Sequence, residues 1–205
     1  MLFNHPLIAK LNNFKCILGS QSPRRKEILE NNLGIRNFTP RPSSFEEDLE
    51  KDDKTPLQYV QLTSQHKAEA IIKEGVDTPA IVLTCDTIIS CNGKVFEKPM
   101  TKEKQREDFK YFSQHPELDV ISALTVIRVG DSTEVFTDHA TTKLKFKGDV
   151  DITDAYIESE EGLEVAGGFK YQGLGCLLFE SMEGDSFNVV GLPVKVFDLL
   201  EKAVV

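Results

Sequence analysis

A mixed α/β domain, a twisted mixed sheet with flanking helices, is the fold this sequence predicts, and three observations predict it. Short apolar runs such as "KCIL" and "AIVLT" interleave with segments of helical periodicity. Gly, Pro or a capping residue marks most of the changes. No strict repeat organises the succession. At 205 residues the chain can bury one sizeable core, so residues 15–205 are expected to form one domain, preceded by a short N-terminal extension over 1–14.

The elements follow in order. "KCILGS" predicts a first strand, and "RRKEILENNLG" a short helix ending at Gly34. Between them Ser22 is placed to cap the helix and Pro23 to open it. "TPRPSSFEEDLEKDDK" predicts an exposed acidic loop. In "TPLQYVQLTSQHKAEAIIKEG", Thr55, Pro56 and Gln58 form a capping-box signature ahead of a long helix. "AIVLTCDTIISCNGKVFEKP" predicts a buried strand, a break at Cys85-Asp86-Thr87, and a hairpin turned by Asn92-Gly93. "TKEKQREDFKYFSQ" predicts a charged helix, and "LDVISALTVIRVG" with "STEVFTDHATTKLKF" an antiparallel pair. "DITDAYIES" predicts a helix, "GFKYQGLGCLLFESMEG" Gly-punctuated strands, and "LPVKVFDLLEKA" a closing helix with Pro193 near its start.

Composition narrows the function classes. With 24 Lys plus Arg against 33 Asp plus Glu, the net charge of −9 argues against a nucleic acid polymer held on a basic face. Cys16, Cys85, Cys91 and Cys176 lack zinc-site spacing, and four scattered cysteines suit free thiols and a cytoplasmic setting. No apolar run reaches the roughly 20 residues that span a bilayer, and the opening residues lack a signal-peptide pattern. No membrane partner is expected.

Two stretches stand out chemically. Helix starts are electropositive and favour acids, yet "SPRR" sets Arg24 and Arg25 there; an anion resting at that point would explain them, while ordinary solvated arginines are the plainer alternative. In "VLTCDTII", Asp86 follows an apolar run and falls where α/β proteins place ligand crevices. It could bind a divalent cation or accept a proton from water, or simply cap a turn. Lys67 and Lys98 are single cations able to meet phosphate oxygens. Gln172, among Gly167, Gly168, Gly173 and Gly175, carries the donor and acceptor needed to read a base edge.

Together, "LGSQSPRRKEILE", "KAEA", "TCDTII", "EKP", "AGGFKYQGLG" and "EGDSFNVVGLPV", in this order, resemble the Maf family of nucleoside triphosphate pyrophosphatases from about Lys15 to the C-terminus. The resemblance implies a sheet with a deep central cleft, similar to the inosine triphosphate pyrophosphatases, and a homodimer. It implies hydrolysis of a nucleoside triphosphate between the α and β phosphates with a divalent cation, Mg²⁺ or Mn²⁺. Carried over by motif, Ser20, Arg24, Arg25, Lys67 and Lys98 would bind the triphosphate, Asp86 would accept the proton, and Glu47 with Asp86 would hold the metal. Water activated by the ion is the other candidate base. Arg24, Thr87 and Gln172 resemble the subgroup acting on dTTP and UTP, with base-modified pyrimidine triphosphates as further candidates. The chain departs from the family pattern in "SQHPELDVISAL", where Leu118 stands near a usual His and Ser122 at a usual Thr. That departure supports the competing expectation, a catalytically silent nucleotide-binding regulator of cell division.

Overall fold

The computed structural model describes residues 3–46, 49–51 and 53–205. Its strands neighbour one another in the order β2 (Phe38–Pro40), β1 (Lys15–Leu18), β3 (Ala80–Cys91), β5 (Glu117–Val129), β6 (Thr133–Phe146), β7 (Phe179–Glu183), and β4 (Lys94–Phe96) pairs with β3. β1 runs parallel to β2 and β3, whereas β3–β4 and β6–β7 are antiparallel. The sheet is therefore mixed, as the interleaved pattern predicted. Among the described residues no helix is long and apolar enough to cross a membrane.

The chain divides into two compact units. The first comprises Met1–Asp86, Ser122–Ala140 and Gly191–Val205. Helix α1 (Pro6–Leu11) starts where the His5 ring accepts the Leu7 N–H, and it buries Leu7 and Leu11. Helix α2 (Pro23–Glu27) runs into a π-helical turn over Ile28–Asn32, and Gly34 then takes φ +71°. Helix α3 (Pro56–Lys73) opens with the capping box its sequence announces: Thr55 Oγ1 accepts the Gln58 N–H at 3.2 Å while Gln58 Oε1 accepts the Thr55 N–H at 2.9 Å. Its inner face packs Ala68 and Ile71 against Val82 and Ile127. Helix α7 (Val196–Ala203) buries Val196, Leu199, Leu200 and Ala203, and Arg128 ties its end down by donating to the Ala203 carbonyl at 3.0 Å.

The second unit comprises Thr87–Ile121 and Thr141–Val190. The β3–β4 hairpin turns at Asn92 and Gly93, both at positive φ, as an Asn-Gly pair allows. Helices α4 (Lys102–Gln114) and α5 (Val150–Glu158) are capped by Thr101 and Asp149. Phe109 and Phe112 from α4 meet Phe146, Phe169, Phe179 and Tyr156 in an aromatic core. The segment predicted as Gly-punctuated strands is strand only at β7. Before it lie 3₁₀ turns at Ala166–Gly168 and Leu174–Leu178. Gly167 and Gly168 sit at φ +71° and +77°, a left-handed backbone that interrupts a strand. A short helix α6 (Ser186–Val190), absent from the sequence reading, precedes Gly191.

Candidate functional site

The site grows from the C-terminal end of β1 and the middle of the parallel strand β3 beside it. Leu18 of β1 stands opposite Leu83 of β3, and the Gly19 N–H donates to the Leu83 carbonyl at 2.8 Å. Glycine is required at 19 because a Cβ would lie 2.5 Å from Ile71 Cδ1 and 2.6 Å from Thr84 Cγ2. The chain then turns into α2. Ser22 holds the N-cap position with an extended backbone, but its side chain makes no cap bond. The buried Ser20 hydroxyl accepts the Ser22 N–H instead, at 3.1 Å.

Ser20 also anchors Arg25, whose Nη1 donates to Ser20 Oγ at 3.2 Å while its Nε donates to the Gly191 carbonyl at 2.8 Å. Two bonds at different edges fix the plane of the guanidinium. Arg24 is half-buried, and burial, followed by the charge of Arg25, holds its guanidinium below the ordinary arginine pKa. Among the described residues no carboxylate forms an ion pair with Arg24. Two adjacent cations, one of them poorly hydrated, make a place where an anion relieves repulsion.

Asp86 lies in the middle of β3, which runs unbroken from Ala80 to Cys91. The predicted break at Cys85-Asp86-Thr87 is absent, because the carboxylate needs no exposed turn: Lys67 from α3 donates to Asp86 Oδ1 at 2.7 Å, with side chains 11% and 9% exposed. Each charge offsets the other's desolvation. The Arg25 and Asp86 regions meet at Gly191, whose carbonyl accepts both Arg25 Nε and the Sγ–H of Cys85, the residue before Asp86, at 3.5 Å.

Ser20, Arg24, Arg25, Lys67 and Asp86 thus belong to one unit. Thr87 (half-buried), Lys98 and Gln172 (both exposed) belong to the second. Gln172 precedes Gly173, where a Cβ would fall 2.1 Å from Glu161 Oε1, so a carboxylate buttresses the loop that carries it. Glu47 lies outside the described residues. Leu118 and Ser122, the departures from the family pattern, are fully buried in β5. Among the described residues no group of three or more His, Cys, Asp or Glu is placed to hold a metal. A single hard carboxylate still suits Mg²⁺, which commonly takes one or two protein carboxylates and completes its shell with water and substrate phosphate.

Sequence reasoning missed Gly191 and a set of buried hydroxyls, Ser64, Thr84 and Thr125, beside the Lys67–Asp86 pair. The signal for Thr84 and Thr125 was a hydroxyl inside an apolar stretch, "IVLTC" and "SALTV", whereas Ser64 in the polar "QLTSQ" carried none.

Fold and site together define an α/β protein with two adjacent arginines just after β1 and a buried carboxylate on β3. The chain belongs to the Maf-like protein family, whose model matches residues 15–203. It is 39% identical over 203 residues to the dTTP/UTP pyrophosphatase of Saccharomyces cerevisiae, covering 89% of this chain and 87% of that one. It is 37% identical over 191 residues to the dTTP/UTP pyrophosphatase of Thermoanaerobacter sp. (92% and 96% covered). The dTTP/UTP pyrophosphatase of Methanosarcina mazei is 35% identical over 189 residues (92% and 93%). Among solved structures, a HAM1 protein from Coxiella burnetii matches 66% of this chain and 74% of its own with a TM-score of 0.43 at 12% identity.

Proposed function

We propose that this protein hydrolyses dTTP and UTP, and base-modified pyrimidine triphosphates of the same shape, to the nucleoside monophosphate and pyrophosphate. The observation that carries the reading is the convergence on Gly191: the fixed cation Arg25 and the strand residue next to Asp86 share one carbonyl. The relatives named above supply the substrate class.

In this mechanism Arg24, Arg25 and Ser20 receive the phosphate chain, with Lys98 adding charge, and Thr87 and Gln172 select the base. Asp86 accepts a proton from water as the water oxygen bonds to the α phosphorus and the bridging oxygen leaves with pyrophosphate. Lys67 keeps the Asp86 carboxylate oriented, and the arginines stabilise the charge that gathers on the leaving group. Asp86 and Glu47 would hold Mg²⁺ or Mn²⁺, which when bound neutralises phosphate charge. Free thiols at Cys16, Cys85, Cys91 and Cys176 support a reducing compartment such as the cytoplasm. A homodimer and the one-domain boundary at residue 15 complete the proposal, with light scattering as the check on the first.

The test is pyrophosphate release from a panel of ribo- and deoxynucleoside triphosphates, modified pyrimidines included, with each divalent ion. dTTP and UTP should lead the panel. Asp86→Asn should lower turnover by about 10²- to 10⁴-fold while leaving the circular dichroism spectrum intact. Nucleotide binding without pyrophosphate release would establish the silent regulator in its place.

A further inference from the structure

Two rungs join α3 to β3. The first is the Lys67–Asp86 pair at 2.7 Å. The second lies one helical turn back along α3, at Ser64, and two residues back along β3, at Thr84. Residues spaced three apart on a helix and two apart on a strand share a face, so both rungs bridge the same pair of surfaces. Thr84 Oγ1 donates to the Ser64 carbonyl at 2.7 Å. Ser64 Oγ lies 3.4 Å from both Thr84 Oγ1 and the Thr84 carbonyl, and 3.1 Å from Thr125 Oγ1 on β5. Ser64 and Thr84 are 0% exposed and Thr125 is 1% exposed.

These hydroxyls have no water to fall back on, so each depends on the others being in place. A lysine side chain has four rotatable bonds, and holding its ammonium on one carboxylate oxygen requires that the helix neither slide nor turn against the strand. The hydroxyl rung supplies that restraint. It is directional and buried, and it acts one turn from the ion pair, whereas the neighbouring Ala68, Ile71 and Val82 contacts are apolar and tolerate small slippage.

We propose that Ser64 and Thr84 are positioning residues for Asp86: their hydroxyls fix the register of α3 on β3 and thereby seat the Lys67 ammonium on the carboxylate. The proposal rests on the reading of Asp86 as the proton acceptor.

The experiment compares Thr84→Val and Ser64→Ala, which remove a hydroxyl, with Thr84→Ser, which keeps it. Thr63→Val is the control, since the Thr63 hydroxyl is equally buried but, among the described residues, bonds only the Tyr59 carbonyl of its own helix, at 2.9 Å. Each full-length variant is read in three ways: kcat and KM for dTTP, the melting temperature, and the NMR signal of the Lys67 ammonium protons. Thr84→Val and Ser64→Ala should lower kcat about tenfold with KM unchanged, a loss in keeping with small misplacements of reacting groups, and should broaden or shift the Lys67 signal. Thr84→Ser should retain both. Thr63→Val should lower the melting temperature without touching kcat or the signal. Equal kcat losses in Thr84→Val and Thr63→Val, or an unmoved Lys67 signal in Thr84→Val, overturn the proposal. If wild type releases no pyrophosphate, or Asp86→Asn is fully active, the nucleotide reading fails on its own evidence, and the Lys67 signal still decides whether the rung seats the pair.

Discussion

The first unit keeps an ammonium, a carboxylate and three hydroxyls in its interior around α3 and β3, whereas the second fills its interior with Phe109, Phe112, Phe146, Phe169 and Phe179. Buried polar groups in the second unit mostly reach backbone: Gln105 Nε2 donates to the Gly168 carbonyl at 2.7 Å, and Asn188 Nδ2 to the Val120 carbonyl at 2.9 Å. Those bonds hold segments in place. The first unit instead buries two opposite charges against each other, an arrangement that stabilises a fold no better than apolar groups of equal size. The contrast separates an interior shaped by packing from one shaped by chemistry.

The sharpest way to break that contrast is to remove one member from each interior. Lys67→Met strands a buried carboxylate and should cost about 3–5 kcal/mol, together with most of the activity. Phe112→Ala opens a cavity and should cost a similar 3–5 kcal/mol or so, yet its folded fraction should turn over substrate normally. Urea unfolding and pyrophosphate release at low temperature measure both. The double variant Lys67→Met/Asp86→Leu should recover most of the lost stability and none of the activity. A double variant no more stable than Lys67→Met would mean that the charges themselves hold the first unit together.

Smaller effects sharpen the same comparison. Gly19→Ala pushes a methyl into Ile71 and Thr84 and should cost about 1–3 kcal/mol, with lowered turnover because Ser20 follows directly. Thr55→Ala removes one half of the capping box and should cost about 1 kcal/mol at unchanged kcat; a fall in kcat would show that the far end of α3 also governs the site. The smallest effect concerns thiols. Burial pushes the Cys16 thiol up to about 12, so at pH 8 a thiol reagent should label the exposed Cys176 first and Cys16 only on unfolding. The sign for stability follows. Above the ordinary value of 9.0 the unfolded chain loses the Cys16 proton while the folded chain keeps it, so stability declines as pH rises from there toward 12.

What the sequence disclosed tracks how local each signal was. The capping box of α3 and the Asn92–Gly93 turn involve residues within a few positions of one another, and both are formed; the cap predicted at Ser22 holds its position without the side-chain bond, because the Ser20 hydroxyl takes the Ser22 N–H instead. Lys67 and Asp86 were each singled out, but their pairing was not, because a helix and a strand must dock before the two can touch. The same blindness produced the false strand break: an aspartate in an apolar run reads as a turn until its counterion is known. Residues 168–178 misled for the opposite reason. Their apolar and aromatic content suits strands, and only left-handed backbone at Gly167 and Gly168 converts it to turns packed on Ile89 and Gln105.

Gly191 carries a consequence for synthesis. The guanidinium of Arg25 is braced by a carbonyl 166 positions downstream, so a ribosome that has already released α2 must translate at least through Gly191 before that brace exists. A nascent polypeptide therefore carries its cationic turn without its final orientation until Gly191 has been made, and competence arrives in a single step at that point rather than accumulating along the way.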